Sequence, residues 1–165
     1  MPFRCIGLLI VEVAGGSSVR GGNCFTLDAH PGYFVTSAHL LRNAASLDLY
    51  FQGDQYQLSA ARQGQDFVVH GDLDVGLVRF PAIPVARWEG FRLLPDPLAS
   101  QAPDAVWQHG WWDPTCAAPI PYRASGQRIV QVPRRGVVSP MANMLGDTPP
   151  GSSGSPWWKA RMARH

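Results

Sequence analysis

The feature that most constrains the fold of this chain is a series of short apolar segments, each bounded by glycine, proline, asparagine or aspartate. Long segments with a helical repeat of apolar residues are scarce. The 17 glycines and 15 prolines are spread along the 165 residues without a period, which indicates many turns between short strands. Many short strands at this spacing are typical of an all-β barrel or sandwich.

The apolar segments predict the positions of the strands and of the turns between them. We expect a hairpin turn at Gly53–Asp54, a single helical turn over Ala38–Asn43 and an exposed loop at Thr115–Pro121. The proline-rich stretch Pro81–Pro97 is predicted to cross between two halves of the molecule. The segments predicted as strands are Ile6–Val13, Asn23–Leu27, Gly32–Thr36, Leu47–Gln52, Gln55–Ala60, Phe67–Val69, Val75–Phe80, Ala105–His109, Arg128–Gln131 and Gly136–Ser139.

Composition and charge limit the classes of partner. Hydrophobic residues make up 45% of the chain and charged residues 16%, which is typical of a folded globular protein. The net charge is +2, with basic clusters only at Arg134–Arg135 and in the tail, which is too little for a nucleic-acid interface. The N-terminal apolar run is interrupted by Glu12 and resembles neither a membrane span nor a signal peptide. We therefore expect no nucleic-acid or membrane partner and a cytoplasmic location, with an exported form left open.

The cysteines and histidines do not form a convincing metal site. The cysteines are Cys5, Cys24 and Cys116; their number is odd and no CxxC pair occurs, so a disulfide framework is not favoured and a single disulfide stays open. Cys24 could be grouped with His30 and His39 as metal ligands, but no fourth ligand follows at zinc spacing. The sequence therefore predicts no metal and no cofactor.

Three short motifs supply a histidine, an aspartate and a serine that suit nucleophilic catalysis. They are TSAHLL around His39, DVGL beginning at Asp74, and GSSGSP around Ser153. A serine hydroxyl needs a base within hydrogen-bond reach, and that base needs a third group to fix its tautomer. His39 follows one apolar strand and Asp74 precedes another, so both side chains can lie at strand ends beside a cleft. We predict Ser153 as the nucleophile, His39 as the base and Asp74 as the orienting carboxylate.

The turn around the serine is rich in glycine. Gly151 and Gly154 permit backbone conformations that are closed to other residues. Such a turn can aim the N–H groups of Gly151 and Ser153 at one point, which predicts an oxyanion hole. The same GSSGS letters also fit a flexible linker, which is the alternative interpretation of this segment.

Taken together, the motifs resemble those of trypsin-like serine proteases with the chymotrypsin fold, in which the order is also His, Asp, Ser. TSAHLL is similar to their TAAH-type motif, DVGL to their DIAL-type motif, and GSSGSP to GDSGGP. The segments GGNCFTLDAHPGYFVTSAHLL and DAVWQHGWWDP are similar to segments of HtrA-like enzymes. The likeness runs from about Ile6 to Trp158 and is closer to the HtrA-like and viral trypsin-like branch than to secreted digestive trypsins.

The resemblance implies an all-β fold of two antiparallel β-barrels of the chymotrypsin type, with the catalytic triad between them. It implies a single peptidase domain over residues 1–165, with a first barrel over about 1–85, a crossing segment over 86–103 and a second barrel over 104–165. It also implies a serine endopeptidase that hydrolyses peptide bonds in a peptide or protein substrate through an acyl-enzyme intermediate, without a cofactor.

The chain departs from the family pattern at three places. Ser155 stands where the family has a second glycine, and Leu40 follows His39 where secreted trypsins have a cysteine. Family members continue for further strands after the serine, so we expect the second barrel to be short of its C-terminal strands. An open strand edge invites self-association or strand completion by a partner.

Some roles and functions stay open at the level of sequence. By resemblance to trypsin, Asp147 is a candidate for selecting Arg or Lys, with a surface turn as the alternative. Asp72 competes with Asp74 for the orienting role but lacks the DVGL context, and His109 is interpreted as structural or pocket-lining. The alternative functions are a catalytically weak or inactive peptide-binding protein with a protease fold, a truncated protease that another chain completes, and a β-barrel interaction module.

Overall fold

The strands that the structure describes form two antiparallel sheets. A computed structural model describes residues 2–16, 18–92, 106–110, 120–134, 137–145, 153 and 157–158. A one-turn helix, α1, spans Ala38–Leu41, and 3₁₀ turns span Pro2–Cys5 and Val85–Arg87. The strands are β1 (Ile6–Val13), β2 (Val19–Thr26), β3 (Tyr33–Thr36), β4 (Ala44–Phe51), β5 (Asp54–Leu58), β6 (Phe67–Val69), β7 (Gly76–Arg79), β8 (Val106–Gly110), β9 (Ile120–Arg134), β10 (Val137–Leu145) and β11 (Trp157–Trp158).

The first sheet has seven strands in the order β5-β4-β1-β2-β3-β7-β6 and curls into a half-barrel. β1 lies in the middle between β2 and β4, and the residues from Ile6 to Leu9 are all buried. A strand covered on both faces needs the continuous apolar run that β1 has. β4 instead alternates, with Leu47, Leu49 and Phe51 buried between half-buried residues, as expected for a strand with one face on the core.

An aromatic cluster inside the half-barrel fixes the strand that leads to the candidate site. The Phe34 ring on β3 contacts the rings of Phe51, Phe80 and Trp88 edge to face, with centroids 5.0, 5.8 and 5.3 Å apart. Phe34 itself is fully buried. Edge-to-face pairs add to the stabilisation from burial, so β3 is held firmly against the core just before α1 begins.

The second sheet has four strands in the order β10-β9-β8-β11. The two tryptophans of β11 pair with β8, in the register Trp157↔Gln108 and Trp158↔Trp107. The all-β prediction is confirmed for the described residues. A second closed barrel and the proposed boundaries near residues 85 and 103 remain predictions, since residues 93–105 lie outside the described part of the chain.

The predicted hairpin turn was wrong by one residue. Phe51 pairs with Asp54, so the two-residue loop is Gln52–Gly53 rather than Gly53–Asp54. Both loop residues have positive φ, 52° for Gln52 and 86° for Gly53, which matches the twist of a two-residue hairpin. Glycine can occupy either central position of such a turn. Contacts with distant segments favour the turn at Gln52–Gly53, because the side-chain amide of Gln52 donates to the backbone carbonyls of Arg4 and Arg87.

Other predicted boundaries differ because cross-strand pairing extends beyond the apolar letters. β2 begins at Val19, ahead of the predicted Asn23, since its polar and glycine-rich start pairs with β1. Ile120 and Pro121, the last two residues of the predicted loop, belong instead to β9, where they pair with β8. α1 stops before the predicted end at Asn43, whose φ of 60° lies in the left-handed region and cannot continue a helix.

The described residues give limits on cysteine chemistry, metals and membranes. Cys5 and Cys24 are both buried and not disulfide-bonded, and burial raises the pKa of each thiol. Within these residues, no cluster of three or more His, Cys, Asp or Glu side chains could hold a metal ion, so Cys24, His30 and His39 do not converge. Over the same part of the chain, none of the helices has the length and apolar character needed to cross a membrane.

Candidate active site

Helix α1 presents His39 and buries its neighbours. Ala38, Leu40 and Leu41 are almost fully inaccessible to solvent, whereas the His39 side chain is 49% exposed. Three apolar anchors on a single turn leave one direction for the remaining side chain. The residues Ala38–Leu41 therefore form a packed turn, called here the histidine corner, in which the imidazole of His39 lies at the surface.

Two glycines allow α1 to pack closely between β2 and β7. A Cβ atom at Gly22 on β2 would clash with the Leu40 side chain and lie 2.9 Å from the carbonyl oxygen of Ser153. A Cβ atom at Gly76 on β7 would lie 2.6 Å from Leu41 Cδ1. Both distances are shorter than real Cβ contacts, so any larger residue at either position would displace a neighbour. Close approach of this kind is a frequent reason for glycine inside a strand.

The carboxylate of Asp74 holds His39 at two points. The backbone N–H of His39 donates to Asp74 Oδ1 at 2.8 Å, and the ring Nδ1 lies 2.7 Å from Asp74 Oδ2. An ionised carboxylate can only accept hydrogen bonds, so Nδ1 carries the proton in this contact. The other ring nitrogen, Nε2, then has the free lone pair that a general base requires.

The electrostatics of Asp74 agree with this tautomer. Partial burial alone would raise the pKa of the Asp74 carboxyl, but the hydrogen bonds from the ring and backbone of His39 oppose it, and the net effect of all contributions is a pKa below its ordinary value. The charges of His39 and Arg42 act in the same direction. The carboxylate therefore stays ionised at neutral pH and remains an acceptor.

The loop that carries Asp74 is held by His70. The backbone N–H of His70 donates to the carbonyl of Val75 at 2.8 Å. Its ring Nδ1 accepts the backbone N–H groups of Asp72 and Leu73 at 3.0 and 3.1 Å. These contacts close the loop and direct the second of its two aspartates at His39. Among the described residues, the carboxylate bonded to His39 is thus that of Asp74 and not that of its rival Asp72.

The candidate nucleophile is tied to β2 through its backbone. The carbonyl oxygen of Ser153 accepts the backbone N–H of Asn23 at 2.6 Å. The carbonyl of Asn23 in turn accepts the hydroxyl of Thr36 at 2.7 Å, at the end of the strand that leads into α1. Asn23 and Thr36 are buried and Ser153 is partly buried. The structure therefore brings Ser153 against the same strand that supports α1.

The remaining predicted site residues are less fully described. Gly151 and Asp147 lie outside the described residues. His109 lies on β8, where it pairs with Pro121 of β9.

Sequence reasoning missed one side chain beside the histidine. Nη1 of Arg20 on β2 donates to the backbone carbonyls of His39 at 2.9 Å and of Arg42 at 2.8 Å. The glycine pair that follows it in VRGGN was a signal of close packing that could have been recognised. Arg20 itself has no sequence signal, because an arginine that bonds to a neighbouring helix cannot be told from an ordinary surface arginine on a strand.

Comparison with known proteins finds solved structures of similar fold. No family model and no curated protein matches the chain. Among solved structures, the HtrA-type protease AlgW, solved with a tripeptide, matches with a TM-score of 0.71 and 11% identity over 94% of this chain and 47% of that chain. The Rv3671c protease of M. tuberculosis in its inactive form has a TM-score of 0.67 and 13% identity, over 94% and 72% of the two chains.

A viral enzyme gives the same result. The catalytically inactive tobacco etch virus protease, complexed with substrate, matches with a TM-score of 0.63 and 13% identity, over 97% of this chain and 68% of that chain. The chain has the fold of the trypsin-like serine proteases. This confirms the resemblance seen in the three motifs at the level of the fold. The chain spans 65% of the active form of the Rv3671c protease.

Proposed function

We propose that this protein is a serine endopeptidase that hydrolyses peptide bonds with His39, Asp74 and Ser153. The observation that carries the proposal is the double contact between His39 and Asp74, which leaves Nε2 of the imidazole available as a base. The second support is the contact of the Ser153 carbonyl with β2, the strand against which α1 is also packed. The fold of the trypsin-like proteases is the third.

In the proposed acylation step, Ser153 Oγ attacks the carbonyl carbon of the scissile peptide while His39 Nε2 takes its proton. Asp74 stabilises the imidazolium that forms, and it stays ionised because its pKa is lowered. We assign stabilisation of the negative charge on the tetrahedral oxygen to the backbone N–H groups of Gly151 and Ser153. Such donors supply much of the rate enhancement in acyl transfer.

Acylation is completed, and deacylation follows, by proton transfers through the same nitrogen of His39. His39 gives the proton from Nε2 to the leaving amine, and the carbon–nitrogen bond breaks to leave an ester on Ser153. Water then attacks the ester carbon while His39 Nε2 accepts its proton; the bond from that carbon to Ser153 Oγ breaks, Nε2 gives the proton to Oγ, and the acid product leaves. Each step moves one proton through the same nitrogen, so the tautomer fixed by Asp74 matters throughout the cycle.

Peptides are the proposed substrate class. Two of the similar structures were solved with a tripeptide and with a substrate, respectively. Buried Cys24 does not compete for the nucleophilic role, because burial raises the pKa of its thiol and disfavours the reactive thiolate.

The test that needs no knowledge of the substrate is covalent labelling with a fluorophosphonate, which reacts with activated serines. We expect one label per chain, on the peptide that contains Ser153. Ser153→Ala should abolish the label, and His39→Ala should slow it on the order of 10⁴- to 10⁶-fold, as for other triad knockouts.

Ser46→Ala is the matched control, since the Ser46 hydroxyl is bonded to Glu12 at the surface and none of its described contacts reaches the site. It should label at the wild-type rate. Labelling that survives Ser153→Ala would reject Ser153 as the nucleophile. A folded wild-type protein that never labels would instead favour a peptide-binding protein with a protease fold.

A further inference from the structure

We propose that Arg20 is a positioning residue for His39, and that β2 thereby sets the position of the imidazole relative to Ser153. The catalytic consequence of this inference rests on the proposed function, whereas the contacts of Arg20 with the backbone around His39 do not depend on it. Arg20 does not contact the imidazole ring in any described interaction. It acts through the backbone of the residue that carries the ring.

The two backbone groups of His39 are held by side chains from opposite sides of α1. Its N–H is bonded to the Asp74 carboxylate at 2.8 Å, and its carbonyl accepts from Arg20 Nη1 at 2.9 Å. A residue whose N–H and carbonyl are both restrained has little freedom in φ and ψ, so its Cα–Cβ direction is fixed. The contact between the ring and Asp74 then leaves the Nε2 position determined as well.

An arginine suits the end of this short helix. The last carbonyls of a helix have no partner within it, and α1 is only one turn long. Nη1 of Arg20 satisfies the carbonyls of both His39 and Arg42, the residue that follows the helix. Two donors from one nitrogen define the distance between α1 and β2 more narrowly than a single bond would.

The same stretch of β2 also contacts Ser153. Arg20, Gly22 and Asn23 lie within four consecutive residues of the strand. Gly22 lies against Leu40 of α1 and the Ser153 carbonyl, and the N–H of Asn23 donates to that carbonyl. β2 therefore touches the histidine corner through Arg20 and the serine through Asn23. A shift of α1 away from Arg20 would change the separation of His39 from Ser153 directly.

The experiment compares Arg20→Met, Arg20→Lys and the control Arg92→Met in the full chain. Methionine keeps most of the apolar stem but cannot donate, whereas lysine can donate to the same carbonyls. Arg92 is an exposed arginine paired with Asp28, and no described contact joins it to α1, so its replacement controls for loss of a surface charge. Two readouts are measured: the ¹⁵N NMR shifts of the His39 ring, which report its tautomer, and the rate of fluorophosphonate labelling.

For Arg20→Met we expect the His39 ring to lose its single Nδ1–H tautomer and labelling to slow roughly ten- to hundredfold, as small misplacements of reacting groups do. Arg20→Lys should restore much of both readouts, and Arg92→Met should match the wild type. The proposal is overturned if Arg20→Met keeps the wild-type tautomer, even if the protein is less stable. Because the tautomer is read without a reaction, this test remains decisive if the wild-type protein does not label.

Discussion

The two sides of α1 hold the histidine corner in different ways. On the β7 side, the Asp74 carboxylate contacts both the ring and the backbone N–H of His39, and Gly76 lets Leu41 pack closely. On the β2 side, the contacts go to the His39 carbonyl and to the Ser153 carbonyl, and none of the described ones goes to the ring. The β7 side therefore supplies the carboxylate that sets the protonation of the imidazole. The β2 side sets where the imidazole lies relative to the serine and, through Arg20, holds the His39 backbone where the ring can reach that carboxylate.

This division separates two properties that catalysis needs. The tautomer depends on one carboxylate, so a change of charge should destroy it without moving any backbone. The spacing depends on backbone contacts, so it should respond to steric changes that leave every charge in place. Substitutions on the two sides are thus expected to fail in distinguishable ways.

The largest effect is expected for Asp74→Asn. An amide of the same size can donate to Nδ1 and so favours the wrong tautomer, and the same change in serine protease triads lowers the rate about 10⁴-fold. The rate of fluorophosphonate labelling measures it. Asp72→Asn, in the same loop, is the matched control and should label at the wild-type rate. Equal losses in both variants would mean that the loop, and not the Asp74 charge, carries the effect.

A smaller loss of labelling rate, with a steric cause, is expected for Gly22→Ala. The added methyl would press on the Ser153 carbonyl at 2.9 Å as well as on the Leu40 side chain. Leu40 can rotate away, whereas the serine backbone has to move, so labelling should fall by roughly 10²-fold. Overpacking of this kind typically costs about 1–3 kcal/mol of stability.

Gly76→Ala is its counterpart on the β7 side. It crowds Leu41 and the carbonyl of Val68, but no described contact of Gly76 reaches Ser153. It should destabilise the protein as much as Gly22→Ala while slowing the labelling less. If the two variants label equally slowly at equal stability, the proposed division between the two sides is wrong.

A moderate effect is expected for Thr36→Val, which removes the hydroxyl bonded to the Asn23 carbonyl at 2.7 Å. Losing this buried hydrogen bond should cost about 1 kcal/mol and slow labelling by no more than about fivefold. Thr26→Val is the matched control, because Thr26 is equally buried and its hydroxyl contacts the carbonyls of Cys5 and Glu89 rather than a residue bonded to Ser153. It should lose similar stability at an unchanged labelling rate. A slower rate in Thr26→Val would indicate a general effect of core damage.

The smallest effect concerns stability in acid. The folded-state pKa of Asp74 lies below its ordinary value of 3.8, so the ionised carboxylate is favoured by folding. Its contribution is fully present above the unfolded-state pKa and is lost as the pH falls through the folded-state pKa. The free energy of unfolding, measured between pH 7 and pH 2, should therefore decline less in Asp74→Asn than in the wild type. Parallel curves would contradict the lowered pKa.

The sequence predicted the elements that depend on local pattern. β1 and β6 have the predicted bounds, because an apolar run and its flanking turn residues define a strand without reference to the rest of the chain. The sequence also predicts the pairing of His39 with Asp74, because their motifs place both side chains at strand ends. The motif order also carried the resemblance that the fold comparison confirmed.

The rest could not be predicted because it depends on contacts between distant segments. Gln52 adopts a left-handed conformation with the support of carbonyls from remote parts of the chain. Arg20 lies in a polar start of β2 that has no apolar alternation, and its role appears only once α1 packs beside it. The Ser153 carbonyl accepts a hydrogen bond from Asn23, which lies far away in the sequence, and no local pattern links these two residues.

Cleavage of a mixed peptide library, followed by mass spectrometry, tests the central claim most directly. The wild-type protein is predicted to generate new peptide termini, and neither Ser153→Ala nor His39→Ala should do so above background. Ser46→Ala should give the wild-type products. Undiminished cleavage by Ser153→Ala would contradict the account, and so would a folded wild-type protein that labels on Ser153 but cuts no peptide.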